Sequence, residues 1–317
     1  MAIPNPENPP AAIARIEKTQ LTFIQLVWLR FKRHKMAVAG IISLILLVLF
    51  AILGTAFTTE AYSNITDTSI RLMPPSHEHP FGTDTVGRDI LSRTIYGGQI
   101  SLMIGLIAMA VEVVVGVLIG AIAGYYGGII DSLLMRFTEA MFNIPQIPLL
   151  LVLGKLLADK VPPLNLFGRE FSGSVIVIMV VIGLTSWMGL ARIVRANFLS
   201  LKEREFVTAA HCIGTRNWPI IFGHILPNTM APIIVSATLG VANAIISEAY
   251  VSFLGVGVRP PTATWGNMLN GAYQYIESAP WLWIFPGILI VLTVLSINFI
   301  GDGLRDALDP HSLVESK

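Results

Sequence analysis

The stretch ISLMIGLIAMAVEVVVGVLIGAIAG, from Ile100 to Gly124, decides the fold class, because its one charge is Glu112. A lipid core about 30 Å thick needs about 20 mainly apolar residues in a helix, so this run is long enough to cross a membrane. Five more runs lie on either side of it. Ala37 to Phe57 carries no charge. Leu133 to Leu157 is interrupted by Pro145 and Pro148. Val175 to Leu190 is short. Met230 to Phe253 contains Gly240 and Asn243. Trp281 to Ile300 opens on Trp281, Trp283 and Phe285, an aromatic belt suited to a membrane interface. The pattern predicts an all-α membrane protein with six transmembrane helices. Composition agrees: 54% of 317 residues are hydrophobic and 13% charged, with a mean hydropathy of +0.69, which excludes an ordinary soluble domain. A net charge of +1 gives no basic excess for nucleic acid, and the single cysteine, Cys212, excludes an intrachain disulfide framework or a multi-cysteine metal cluster.

The positions of the charges orient the spans. With the N-terminus inside, the inner segments hold Arg15, Lys18, Arg30, Lys32, Arg33, Lys35, Arg136, Arg192, Arg195, Lys202, Arg204, Arg216, Arg305 and Lys317, two thirds of all Lys and Arg. Positively charged short loops stay cytoplasmic, so both termini are expected there. The chain then divides into a cytoplasmic tail (1–36), the first span (37–57), an extracytoplasmic loop (58–99), a five-helix core (100–304) and a cytoplasmic tail (305–317), with a long inner loop at 191–228. The basic run and the apolar run after it are expected to form an uncleaved first span rather than a secretory signal, since the apolar run exceeds the roughly 7 to 15 residues typical of one. Leu21, Ile24, Trp28, Phe31 and Lys35 recur at helical spacing, as in a helix lying on the inner membrane surface or packed on the protein.

The inner loop carries the functional signal. From Glu205 it reads EFVTAAHCIG, with Phe206, Ala210 and Ile213 on one helical face and Gly214 placed to end the helix through a left-handed residue. A second short helix begins near Asn217 with Pro219 in its first turn, where a missing amide is harmless, and Pro227 redirects the chain into the fifth span. Two short helices, with the small Ala209 and Ala210 between them, make a knob suited to a groove on another protein.

These residues resemble the cytoplasmic coupling motif of binding-protein-dependent importer permeases: Glu-Ala-Ala, three residues, Gly, nine residues, Ile, one residue, Leu-Pro. Ala209, Ala210, Gly214, Leu226 and Pro227 match, Thr208 stands where the family often has Glu, and His224 where it has Ile. Glu205 is an acidic group on the same segment. Further pieces resemble the dipeptide, oligopeptide and nickel permease family, in the subunit type with a long first outer loop. They are Trp28 to Met36, Pro80 to Asp84 with Gly87-Arg88-Asp89, Gly124 to Gly128, Leu254 to Val258, Trp265 to Leu269 and Asn298 to Pro310. The resemblance implies a multi-pass protein of the bacterial cytoplasmic membrane that carries peptides, or else nickel or oligosaccharides. It implies as partners a second homologous permease, two ATP-binding subunits that hold ATP and Mg, an extracytoplasmic solute-binding protein and membrane lipid.

The residues agree with that division of labour. No GxxxxGK[ST] phosphate loop occurs in the chain, so no cofactor and no catalytic residue is expected in it. An intramembrane enzyme would need an HExxH, GxSxG or GxGD pattern, and none occurs. An ion-coupled secondary transporter would need coupling groups at the midplane, for which Glu112 is the one deep carboxylate. Polar groups inside spans usually face protein or water, which makes Glu112, Asn143 and Glu248 candidates either for lining a pathway or for helix contacts. Gly116, Gly120 and Gly124, at four-residue spacing, read as a close helix contact. Charges at Asp84, Arg88 and Asp89 in the outer loop, and at Asp302, Arg305, Asp306 and Asp309 at the inner end, read as local ion pairs. His77-Glu78-His79 cannot share a helical face and is expected to bind no metal.

Overall fold

The computed structural model describes residues 22–157, 160–166 and 169–309. Arg15, Lys18 and Leu21 of the N-terminal tail and residues 310–317, including Pro310 and Lys317, lie outside the described residues. Helix α1 (Phe23–Arg33) opens on a capping box in which Thr22 and Gln25 satisfy one another's backbone amides. It stops at His34, whose Nδ1 accepts from the Ala37 amide and starts α2 (Lys35–Leu53). The apolar stripe of α1 divides: Phe31 is buried against Ala37 and Ala307, while Ile24 and Trp28 are exposed.

After the one-turn α3 (Glu60–Ser63) the chain enters α4 (Ile90–Tyr126). This is the longest helix, and it starts ten residues earlier than the apolar run, inside the segment expected as outer loop. At about 1.5 Å per residue it reaches roughly 55 Å, well beyond a hydrocarbon core of about 30 Å. Its first turns are polar in sequence but buried in the fold: Ser92, Arg93, Thr94 and Ser101 are all enclosed. Asp89 caps it, accepting from the Ser92 amide at 2.7 Å.

The third run is broken. Helices α5 (Gly128–Phe142) and α6 (Gln146–Leu157) meet at 84° around Asn143-Ile144-Pro145, where the chain before a proline avoids helical geometry. A small antiparallel ribbon follows, β1 (Leu164–Leu166) with β2 (Arg169–Phe171), pairing Leu164 with Phe171. It is the one departure from the expected all-helical plan among the described residues. Helix α7 (Gly173–Leu184) continues into α8 (Trp187–Leu201), making a span longer than the short run expected. The knob comprises α9 (Glu205–Cys212), α10 (Asn217–Pro219), a π-helical turn over Ile220–Ile225 and α11 (Leu226–Asn228). Then come α12 (Met230–Phe253), the one-turn α13 (Trp265–Met268) and α14 (Trp281–Leu308). Among the described residues, five helices are long and apolar enough to cross a membrane, six if the bent pair counts as one span.

Helix α4 is the central post, packed on α2, α7, α8 and α12, while α14 closes against α2 and α12. The glycine stripe lets α4 lie close on α8: a Cβ at Gly120 would stand 2.5 Å from the Ala191 carbonyl, and one at Gly116 3.1 Å from the Leu190 side chain. The outer loop folds as a cap on the ends of α4 and α14. Trp281 Nε1 donates to the Thr83 carbonyl at 3.2 Å, Phe81 stacks on Phe285, and Asp84 pairs with Arg88 at 2.7 Å. Within that cap His79 is buried against Asp89 at 3.0 Å, while His77 and Glu78 are exposed.

Candidate functional site: the inner knob and the groups inside the spans

The turn that shapes the knob is set by Gly214. Its φ is +81°, a region nearly reserved for glycine. Its amide donates to the His211 carbonyl at 2.9 Å, while the Thr215 amide donates to the Ala210 carbonyl at 3.1 Å. That pair of bonds is a Schellman ending. After the turn the chain re-enters helix at Asn217 and widens into the π-helical turn just before Pro227. A proline ring collides with the carbonyl four residues back and donates no amide bond, and the wider winding, with Leu226 donating to the Ile221 carbonyl, accommodates both.

The knob has two apolar sides. Its inner side, Val207, Ala210, Ile220, Ile221 and Ile225, is buried against Leu190, Val194 and Phe198 of α8 and Ile233 of α12. Its outer side shows Phe206, Ile213, Trp218 and Phe222, with Trp218 stacked on Phe222 at 5.6 Å between centroids. The expected common face of Phe206, Ala210 and Ile213 is therefore corrected. Ile213 lies past the last helical turn, where the backbone leaves the helix at the cap, so only Ala210 points inward, together with Val207. Glu205, Ala209, Gly214 and Pro227 are exposed and Leu226 is half-buried.

Two contacts fix the knob and its surroundings to the spans. The Tyr125 hydroxyl, at the end of α4, donates to Asn217 Oδ1 at 3.0 Å. Arg195 of α8 holds Asp131 of α5 in a two-pronged pair, Nη2 to Oδ2 at 2.6 Å. Tyr125 lies within the Gly124 to Gly128 piece of the family resemblance, whereas the motif includes neither Trp218 nor Phe222, whose i, i+4 spacing is their one signal in the sequence.

The three candidate pathway residues separate. Glu112 is 9% exposed and turns toward α12, where a Cβ at Gly240 would stand 2.7 Å from its Oε2. Among the described residues no hydrogen bond or ion pair engages its carboxylate. Asn143 is exposed at the break between α5 and α6, in a groove with Thr138, Glu139, Phe142 and Arg192, its Nδ2 donating to the Glu139 carbonyl at 2.9 Å. Glu248 is 1% exposed and faces no open surface in this conformation. It accepts from the Ser252 hydroxyl at 2.7 Å and the Ser101 hydroxyl at 3.4 Å, while Ser101 also accepts from the Trp265 amide at 3.1 Å. Trp265 itself is fully buried, and its Nε1 donates to the Thr94 carbonyl at 2.9 Å. Glu248 thus stitches the N-terminal part of α4 and the C-terminal part of α12 to the α13 segment. No group of three or more His, Cys, Asp or Glu able to hold a metal occurs among the described residues.

The described residues hold up to six candidate spans and a helical knob with an exposed apolar side, and comparison with known sequences decides the family. Residues 116–313 match the model of the binding-protein-dependent transport system inner membrane component. The chain belongs to that family. Residues 22–75 also match the N-terminal TM domain of oligopeptide transport permease C. Among its relatives are the dipeptide transport system permease protein DppC of Alkalihalophilus pseudofirmus, 44% identical over 82% of this chain and 81% of that one, and the oligopeptide transport system permease protein OppC of Haemophilus influenzae, 42% identical over 77% and 75%. A solved amino acid ABC transporter with histidines aligns with 63% of this chain and 85% of its own at 18% identity and a TM-score of 0.41. This permease subunit is accordingly a multi-pass protein of the inner membrane, and the family sets aside an ion-coupled secondary transporter as its class.

Proposed function

We propose that this chain is one of two homologous permeases in an ATP-driven importer that moves di- or oligopeptides delivered by an extracytoplasmic solute-binding protein. The peptide assignment follows the named relatives, which are dipeptide and oligopeptide permeases. Two ATP-binding subunits hold ATP and Mg and meet the permease at the knob. The observation that carries this reading is the two-sided knob. Its inner side is packed into α8 and α12, and its outer side leaves Phe206, Trp218 and Phe222 uncovered. A body so mounted passes a push from outside to the spans rather than absorbing it, as a bistable transport cycle requires. In this arrangement both termini and the knob are cytoplasmic, and Glu205, Ala209, Ala210, Gly214, Leu226 and Pro227 form the ATPase-coupling segment. Glu112 and Asn143 are the proposed pathway groups. Glu112 is suited to the role because its carboxylate is unengaged.

The test is copurification of the tagged chain with its partner subunits, followed by ATP hydrolysis with and without peptide-loaded binding protein, comparing wild type with Gly214→Val. A β-branched residue at φ +81° is a genuine backbone outlier, although a Cβ there meets no neighbour within 4 Å. The substitution therefore alters the turn rather than the packing. The expected outcome is stimulated hydrolysis in wild type and a loss of stimulation of tenfold or more (on the order of 1.4 kcal/mol) in the variant. Equal stimulation in both would remove the coupling role of the turn, and transport of nickel or an oligosaccharide but no peptide would replace the substrate.

A further inference from the structure

The outer surface holds a small polar pit with an unusual floor. It has a volume of about 60 Å³ and is lined by Asp84, Thr85, Arg88, Arg93, Asn267 and Asn270, among others. Arg93, in the first turns of α4, is 3% exposed. One of its nitrogens, Nη1, donates to Asn64 Oδ1 at 3.2 Å and to the Ser63 carbonyl at 3.4 Å. Among the described residues no carboxylate pairs with it. Asp84, the one acid lining the pit, is already committed: its Oδ2 takes Arg88 Nε at 2.7 Å and its Oδ1 takes the Val86 and Arg88 amides at 2.9 Å. Among the described residues every side-chain nitrogen or oxygen shut off from solvent has a hydrogen-bond partner, so the Arg93 nitrogens without one keep solvent access, and Arg93 lines the pit. Asp84 acts on Arg93 only through space and is opposed by Arg88, so Arg93 is a buried cation with donors to spare and no directly bonded carboxylate, half of a close ion pair.

The size and position of the pit identify the other half. A space of about 60 Å³ cannot accept a peptide backbone in transit, but it accommodates the head of one carboxylate, since one water takes about 30 Å³. Its walls are the outer loop and the segment carrying α13, and Asn270 at its mouth is exposed, so it opens where the extracytoplasmic partner of a binding-protein-dependent system would sit. We propose that this pit is a receptor for an Asp or Glu side chain of the solute-binding protein, which enters to complete the pair with Arg93. Such a contact would fix the register of docking, because a two-pronged arginine fork accepts a carboxylate in few orientations. The inference rests on the importer reading above.

The test is docking of the purified binding protein on the assembled wild-type complex in nanodiscs, against Arg93→Gln and Thr85→Glu complexes compared at equal amounts. Arg93→Gln removes the charge but can also disturb the Ser63 and Asn64 contacts. Thr85→Glu leaves Arg93 in place and supplies a competing carboxylate at the lining. Docking is expected to weaken about tenfold in both. Sodium acetate, the free probe, should weaken wild-type docking more than sodium chloride of equal ionic strength, with no such difference in Thr85→Glu. Wild-type affinity in Thr85→Glu, or equal effects of acetate and chloride on wild type, would overturn the receptor. Stimulation of wild-type ATP hydrolysis by the binding protein reports separately on the importer reading, and absence of docking in wild type would sink both.

Discussion

At the scale of single residues, two glutamates that look alike in sequence differ in what surrounds them. Glu112 and Glu248 are each the isolated acid of an apolar run, and nothing local separates them. Glu248 is sealed by Ser252 on its own helix and by Ser101, which lies 147 residues away along the chain. Glu112 has Gly240 beside it and no donor. Partners that arrive from distant helices are invisible to a pattern read along one. The difference yields a prediction about stability. Glu248→Ala removes the acceptor for two hydroxyls at a 1% exposed site and should cost about 1 to 3 kcal/mol, whereas Glu248→Gln keeps one acceptor oxygen and should cost less. Thermal unfolding of the detergent-solubilised protein checks the order. If Glu248→Ala melts with wild type, the network does not hold the α13 segment.

At the scale of elements, what was legible was what the chain decides locally. The stop at Gly214, the restart with Pro219 in the first turn and the proline break near Asn143 were readable because positive φ, a missing amide and a pre-proline restriction act within a few residues. The first turns of α4 were not. Ser92, Arg93, Thr94 and Gln99 have the composition of a loop, and they are helical because the outer cap and the Trp265 segment enclose them. The outer face of the knob belongs to the same class: the docking role proposed for its exposed Trp218 and Phe222 depends on a surface in another chain. Two sets of variants separate the faces. Trp218→Asp with Phe222→Asp should abolish copurification of the ATP-binding subunits while leaving the thermal midpoint within a few degrees. Val207→Asp, which buries a carboxylate at a 1% exposed site, should lower the midpoint sharply. If both sets act alike, the outer face is part of the fold rather than a docking surface.

At the scale of the whole molecule, the knob, the α1 helix and the end of α14 gather at one end, where His34 meets Asp306 at 3.6 Å and Arg30 reaches the Asp309 carbonyl. The outer loop and the α13 segment cover the other end, joined by the Trp281 to Thr83 bond. The proposed cytoplasmic end is the knob side, where most Lys and Arg lie, because short basic loops resist translocation. The sequence contains its own reporter, since its one cysteine, Cys212, is exposed on the knob. A membrane-impermeant maleimide should leave it unlabelled in intact spheroplasts and label it in inverted vesicles washed free of peripheral subunits. Ser278, exposed in the connection between α13 and α14, supplies the opposite sign: Ser278→Cys in a Cys212→Ser background should react in spheroplasts and not in sealed inverted vesicles. The reverse pattern at both positions would turn the molecule over, placing the knob away from cytoplasmic ATP and the Arg93 pit away from any extracytoplasmic partner. One labelling experiment therefore bears on both proposed interfaces, because the fold fixes them to opposite ends of the same helices.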